Sequence, residues 1–199
     1  MKYYGNLINR IEEGKNYTNR EIQVGDDITM YYWSDRKCYY ITKVADQKNI
    51  FVKPYEVCAD HSKVGGMGHQ NWLYFKTAKE MQQYINDCID KGLIKNSHKY
   101  DLSEVRENAE QEWCFRYGHW NYVKRYNMNS WNRCLITASK DVKNPTENIE
   151  AVINLARHYF GLNDDEFAQM MLGKEIVKYE RIQQNISFGV RDYYYDWEF

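Results

Sequence analysis

One short stretch gathers side chains able to do chemistry. Between Cys58 and Trp72 the chain reads CADHSKVGGMGHQNW, with one thiol, two imidazoles, a carboxylate and three glycines. Thiolate and imidazole are zinc ligands, so Cys58-x-x-His61 with His69 supplies three of the four donors a tetrahedral site takes. Asp60 or a distant Cys114/His119 pair would have to complete it. A cysteine with a histidine is also a nucleophile and its base, here Cys58 with His61 or His69. Such partners are normally distant in sequence and joined by the fold, so their nearness adds nothing. Gly65-Gly66-Met67-Gly68 has the composition of a phosphate loop. That loop needs Gly-Lys-Ser/Thr opening a helix, and these glycines lead into His-Gln-Asn-Trp and a strand. The plain alternative is a glycine-flexible loop between two strands. No G-x-S-x-G, H-E-x-x-H or paired-carboxylate pattern occurs elsewhere. The expectation is a non-enzymatic protein, with zinc as the one cofactor for which ligands are on offer.

Two further segments carry recognition chemistry. RYGHWNYVKRY interleaves Arg116, Lys124 and Arg125 with Tyr117, Trp120, Tyr122 and Tyr126. On an exposed sheet face the rings stack bases and the cations hold phosphates, which is how single strands are bound. An ordinary strand pair with one buried face has the same pattern. The segment Tyr193-Tyr194-Tyr195-Asp196-Trp197-Glu198-Phe199 is acidic and aromatic instead. Tyr193, Tyr195, Asp196 and Trp197, with Trp120 and Tyr122, are the candidate contacts to a protein partner.

A third segment, LARHYFGLNDDEFAQMMLGKEIVKYERI, has the leucine, Glu-Phe-Ala, Leu-Gly and Tyr-Glu spacing of a repressor helix-turn-helix in part. The gap from Gly173 to Tyr179 is too short for the turn and the helix that reads bases. KEIVKYE reads as a strand.

The bulk properties restrict what positions these residues. At 199 residues, 43% hydrophobic and 28% charged, the chain has enough apolar side chains for a core. Aromatics make up 16%, with 19 tyrosines and 6 tryptophans, more than a small core needs. The net charge of -1 argues against a strongly basic nucleic-acid binder. Five scattered cysteines, Cys38, Cys58, Cys88, Cys114 and Cys134, do not form a disulfide framework. MKYYGNLINR has no apolar run, and no stretch approaches a membrane span. A cytoplasmic protein with reduced thiols and no membrane partner is expected.

Residues 4–14 have helical spacing. Ile28–Trp33 and Cys38–Val44 are β-branched and aromatic around Ser34-Asp35-Arg36, which reads as a hairpin. IFVKPYEV is a third strand, placed at an edge or bulge by Pro54. WLYF is a fourth. Thr77 caps a helix to about Lys91, stopped by Gly92, with Met81, Tyr84, Ile85 and Cys88 on its inner face. Residues 93–110 read as a polar linker. EWCFRYGHWNYVKRY is a hairpin turning at Gly118-His119. SWNRCLITASK is a helix. Asn144-Pro145-Thr146-Glu147 starts another, with Ile149, Val152, Ile153, Ala156 and Phe160 as its buried stripe and Gly161 as its stop. Asn163 begins a last helix, packing through Phe167, Met170 and Met171 to Gly173. ISFGVRDYYYDWEF returns as a strand.

The fold class expected is α+β: a small antiparallel curled sheet or SH3-like barrel, flanking helices and a C-terminal helical hairpin. The boundaries are 1–126 for the sheet and 127–199 for a helical lobe whose last strand packs back, or one continuous domain.

VGDDITMYYWSDRKCYYITKV, GMGHQNWLYFKT, EWCFRYGHWNYVKRY and ISFGVRDYYYDWEF together resemble small proteins carried by phages and mobile elements of gut-type bacteria. The resemblance spans most of the chain and carries no catalytic residues. It implies a setting in which such proteins bind host macromolecules, and some inhibit host defence, CRISPR nucleases included. The function expected is a binding protein that occludes a host nuclease or ribonucleoprotein. Single-stranded nucleic-acid binding and zinc binding are the alternatives.

Overall fold

A computed structural model describes residues 21–32, 35–63, 71–95, 98–189 and 191–193. The expected helix over 4–14, the glycines at 65–68, His69, Tyr195, Asp196 and Trp197 lie outside the described residues.

The fold is α+β. Its strands are β1 (Asp27–Tyr31), β2 (Arg36–Asp46), β3 (Asn49–Pro54), β4 (Glu56–Ala59), β5 (Trp72–Phe75), β6 (Gln111–Arg116), β7 (His119–Tyr126), β8 (Ile176–Arg181) and β9 (Asn185–Phe188). The helices are α1 (Ala78–Asp90), α2 (Met128–Asp141), α3 (Ile149–Phe160) and α4 (Asp164–Met171). Seven strands form an antiparallel sheet in the order β8-β7-β6-β3-β2-β1-β9, and β4-β5 form a separate pair. The sheet is open. Of the two expected forms, the SH3-like barrel is not the one adopted, because among the described residues β8 and β9 stand at opposite ends of the strand order and do not pair.

The chain divides into two units, residues 1–121 with 181–199, and residues 122–180. In the first unit the β1–β2 hairpin matches the sequence reading, with Thr29 opposite Cys38 and Ile28 opposite Tyr39. One face buries Ile28, Met30, Tyr39, Ile41, Ile50, Val52 and Trp113. Alternation in these strands sets that face, since residues two apart point the same way. Trp113 packs on Tyr39 with ring centroids 5.1 Å apart.

Pro54 points to an edge or a bulge: β3 is not an edge, but its pairing with β2 carries register shifts at Ile41/Lys43 and Val44/Asp46. β3 is an interior strand between β2 and β6. Proline is tolerated because it is the last residue of β3, beyond Val52, where pairing with β6 has ended. The chain then leaves the sheet for β4. Thr77 caps α1 as read: its hydroxyl accepts from Glu80 N at 3.1 Å, and Glu80 returns a carboxylate to Thr77 N at 3.2 Å. Cys88 is buried on its inner face.

The second unit has its own core of Trp131, Cys134, Ala138, Val152, Ala156, Leu162, Met170 and Ile176. Helix α3 begins at Ile149, later than the Asn144-Pro145 signal suggested. Asn144 instead takes a left-handed φ of 51° and closes a turn with Glu147 and Asn148. Ile149 therefore falls in the first turn and is exposed, not part of the stripe. Met171 is exposed too, while Phe167 and Met170 pack. Gly161 stops α3 with φ 58°, and Asn163 caps α4 through Glu166 N at 2.9 Å. KEIVKYE is strand β8, as its sequence suggested, so no recognition helix follows α4.

Candidate functional site

The turn joining β6 to β7 is Tyr117-Gly118, one residue earlier than expected. Both residues have left-handed φ, 54° and 78°. Two left-handed residues are what a two-residue hairpin loop needs to follow the strand twist, and Asn-Gly is the usual choice. Tyrosine there pays a steric penalty, since its Cβ crowds the following carbonyl. Tyr117 is also 87% exposed, so burial returns nothing.

Neighbouring residues brace this tip. Buried Asn121 turns its amide back under the loop, donating to His119 O at 3.1 Å and to Arg116 O and Cys114 O at 3.4 Å each. Phe115 lies edge-on to Trp120 with centroids 5.6 Å apart, and Trp120 rests on Phe188 at 5.4 Å. Phe115 N donates to Lys48 O at 2.7 Å and Ile182 N to Trp120 O at 3.0 Å, which ties both arms to adjoining turns. Phe115 and Arg116 are exposed and Trp120 half-buried. Tip, braces and ring contacts all belong to the first unit.

The other candidate residues fall in separate places. Tyr122 is half-buried. Lys124 is ion-paired with Glu180, which raises the pKa of its ammonium, and Arg125 Nη1 sits 2.9 Å from Glu175 Oε2. Alternation along β7 puts Trp120, Tyr122 and Lys124 on one face and Arg125 on the other. The stretch therefore keeps Trp120, Tyr122 and Lys124 on one face of β7 without Arg125, and Glu180 of β8 and Glu175 just before it offset its last two cations. Tyr193 is half-buried against Trp72, edge-on at 4.8 Å.

In the stretch from Cys58 to Trp72, Asp60 N donates to Asn71 O at 3.0 Å and closes the neck of the loop between β4 and β5. The Asp60 carboxylate accepts from Ser62 Oγ at 2.5 Å and pairs with Lys63 Nζ at 2.9 Å, which lowers its pKa to about 2. Burial pushes the half-buried Cys58 thiol up to about 11, with Cys88 and Asp60 adding to it. The His61 ring stacks on Tyr84 of α1 at 6.4 Å, and the His61 backbone N–H donates to the Tyr84 hydroxyl at 3.0 Å. Among the described residues no three His, Cys, Asp or Glu side chains are placed to hold a metal ion.

Sequence reasoning saw Tyr117 only as one of several strand aromatics. The signal available was the bare X-Gly pair at the centre of a hairpin. It missed Asp27, Tyr55, Tyr74 and Arg191 altogether, because their grouping depends on long-range pairing. No protein-family model matches the chain, and it matches no curated protein and no solved structure. Among the described residues no helix is long and apolar enough to cross a membrane.

Proposed function

We propose that the protein is a non-enzymatic binding protein that presents the β6–β7 tip to a protein partner and occludes that partner's surface. The observation that carries this reading is Tyr117, 87% exposed in a strained left-handed conformation. Strain retained at an exposed position points to a role outside folding. Tyrosine, tryptophan and arginine dominate binding hot spots, and Tyr117, Trp120 and Arg116 lie within five residues. The Asn121 brace pre-orders the tip, which lowers the entropy lost on association. The resemblance to phage and mobile-element proteins supplies the setting. The partner would be a host protein in the bacterial cytoplasm, a defence nuclease such as a CRISPR effector or another ribonucleoprotein.

The test is co-purification from host lysate with wild-type and Tyr117→Asn baits. Asparagine tolerates the left-handed region, so the variant keeps its fold. A host protein enriched by wild type and lost by Tyr117→Asn supports the proposal. Enrichment of nothing, or equal enrichment by both, sinks it. A second reading is single-strand binding at the same tip, favoured by exposed Arg116 between Phe115 and Tyr117. A gel shift that weakens as salt rises would favour it.

A further inference from the structure

Beyond β9 the chain runs back over the first unit as a strap. Gly189 N donates to Asp27 O at 2.8 Å, Asp192 N to Thr29 Oγ1 at 3.1 Å and Tyr193 N to the Tyr74 hydroxyl at 2.9 Å. Asp192 pairs with Arg36 at 2.8 Å. Between these anchors Arg191 lays its guanidinium against two rings. Its Cζ is 5.3 Å from the Tyr55 centroid and 5.1 Å from that of Tyr74. The rings meet edge to face, 5.9 Å apart at 79°. Arg191 Nε is 3.7 Å from Asp27 Oδ2, while Asp27 Oδ1 accepts the Tyr55 hydroxyl proton at 2.7 Å.

Two aromatic rings and a carboxylate around a planar cation form a cage suited to guanidinium. The rings supply cation–π attraction, and the carboxylate supplies charge. The walls have supports other than Arg191. Tyr55 is held by Asp27 and by Tyr40, 4.9 Å away, and Tyr74 by its register opposite Val57. Burial raises the pKa of both phenols, so the rings stay neutral. The Arg191 side chain is 43% exposed, so the mouth of the cage faces solvent.

We propose that Tyr55, Tyr74 and Asp27 form a guanidinium-binding site that the chain keeps filled with its own Arg191, and that an arginine side chain of a protein partner takes its place. This rests on the reading above only in taking the partner to be a protein. The tethered Arg191 competes at a high effective concentration, so small guanidinium compounds do not displace it.

The test is calorimetric titration of full-length Arg191→Ala with N-acetyl-arginine amide, and with the neutral isostere N-acetyl-citrulline amide. The expected result is saturable binding of the arginine compound with a rise in Tm, at least tenfold weaker binding of the citrulline compound, and none to wild type. Adding Asp27→Asn should abolish it. No saturable binding, or equal binding of the two compounds, overturns the proposal. Arg191→Gln, which keeps most of the side-chain stem, is the second variant. If both are unfolded alone, recovery of the native circular dichroism with the arginine compound only supports the cage, and no recovery refutes it. Tyr117 is untouched throughout, so this result stands apart from that of the co-purification.

Discussion

Tyr117 sets two properties against each other. Replacing it with asparagine removes the left-handed penalty and gives up almost no buried surface. The expected outcome is a gain of about 1 kcal/mol in urea unfolding, alongside any loss of partner binding. A stability loss would mean that the ring packs on the fold. Asp60 gives a residue-scale prediction in pH. Its folded pKa is about 2, against a reference value of 3.8, because Ser62 and Lys63 stabilise the carboxylate. A depressed pKa contributes stability that is present above the unfolded value and lost as pH falls through the folded one. Stability should therefore decline from about pH 4 towards pH 2, and Asp60→Asn should flatten that part of the profile in a pH series of urea midpoints. The thiols make a third case. Burial raises Cys38 to about 12 and Cys58 to about 11. Neither should react with a disulfide reagent at neutral pH until urea unfolds the chain.

The elements were legible where local chemistry decides them. Thr77 with Glu80, Gly161, and Asn163 with Glu166 mark helix ends by side-chain and backbone rules that act within a few residues. Asn144-Pro145 misled because the Pro145 turn closes on Asn148 before the helix begins. Residues 93–110 read as a linker, and the described ones, 93–95 and 98–110, lie in irregular structure. Sequence gave no sign of how firmly they are tied. Asn86 on α1 donates to Tyr100 O at 2.9 Å and accepts from Tyr100 N at 2.7 Å. Glu107 accepts from Ala78 N at 2.8 Å and Lys79 N at 3.2 Å, so a carboxylate from the linker sits on the positive end of α1. Asn86→Ala should cost about 1–3 kcal/mol by stranding a backbone pair. It should also speed tryptic cleavage at Lys95, Lys99 and Arg106. Unchanged cleavage would mean that Glu107 alone holds the segment.

At the scale of the whole molecule, the two units differ in how they are assembled from sequence. The second is one continuous run, 122–180, with its core drawn from α2, α3, α4 and β8. The first is interrupted by it and finished by β9 and the strap. Truncation after Gln183 removes β9 and residues 191–193, all of the first unit. The helical circular dichroism, three of whose four described helices lie at 128–171, should persist. The near-ultraviolet tyrosine and tryptophan signal of Tyr55, Tyr74 and Trp72 should collapse. Loss of both signals together would mean that the second unit does not hold its fold alone. This division explains what the sequence hid. Tyr55, Tyr74 and Arg191 are unremarkable in their own neighbourhoods, and Arg191 reaches the two rings because β9 pairs with β1.

That pairing has a consequence for the growing polypeptide. Asp192 and Thr29 bond across 163 residues, and Phe188 must find Ile28. A chain emerging from the ribosome carries the outer edge of β1 unpaired while everything between is being made. The helical unit has the contacts to close in the meantime. An open edge strand is a template for another chain. Each nascent copy therefore offers its neighbours on the same message a place to add a strand, and a chaperone that shields β1 until β9 is translated should raise the yield of native protein.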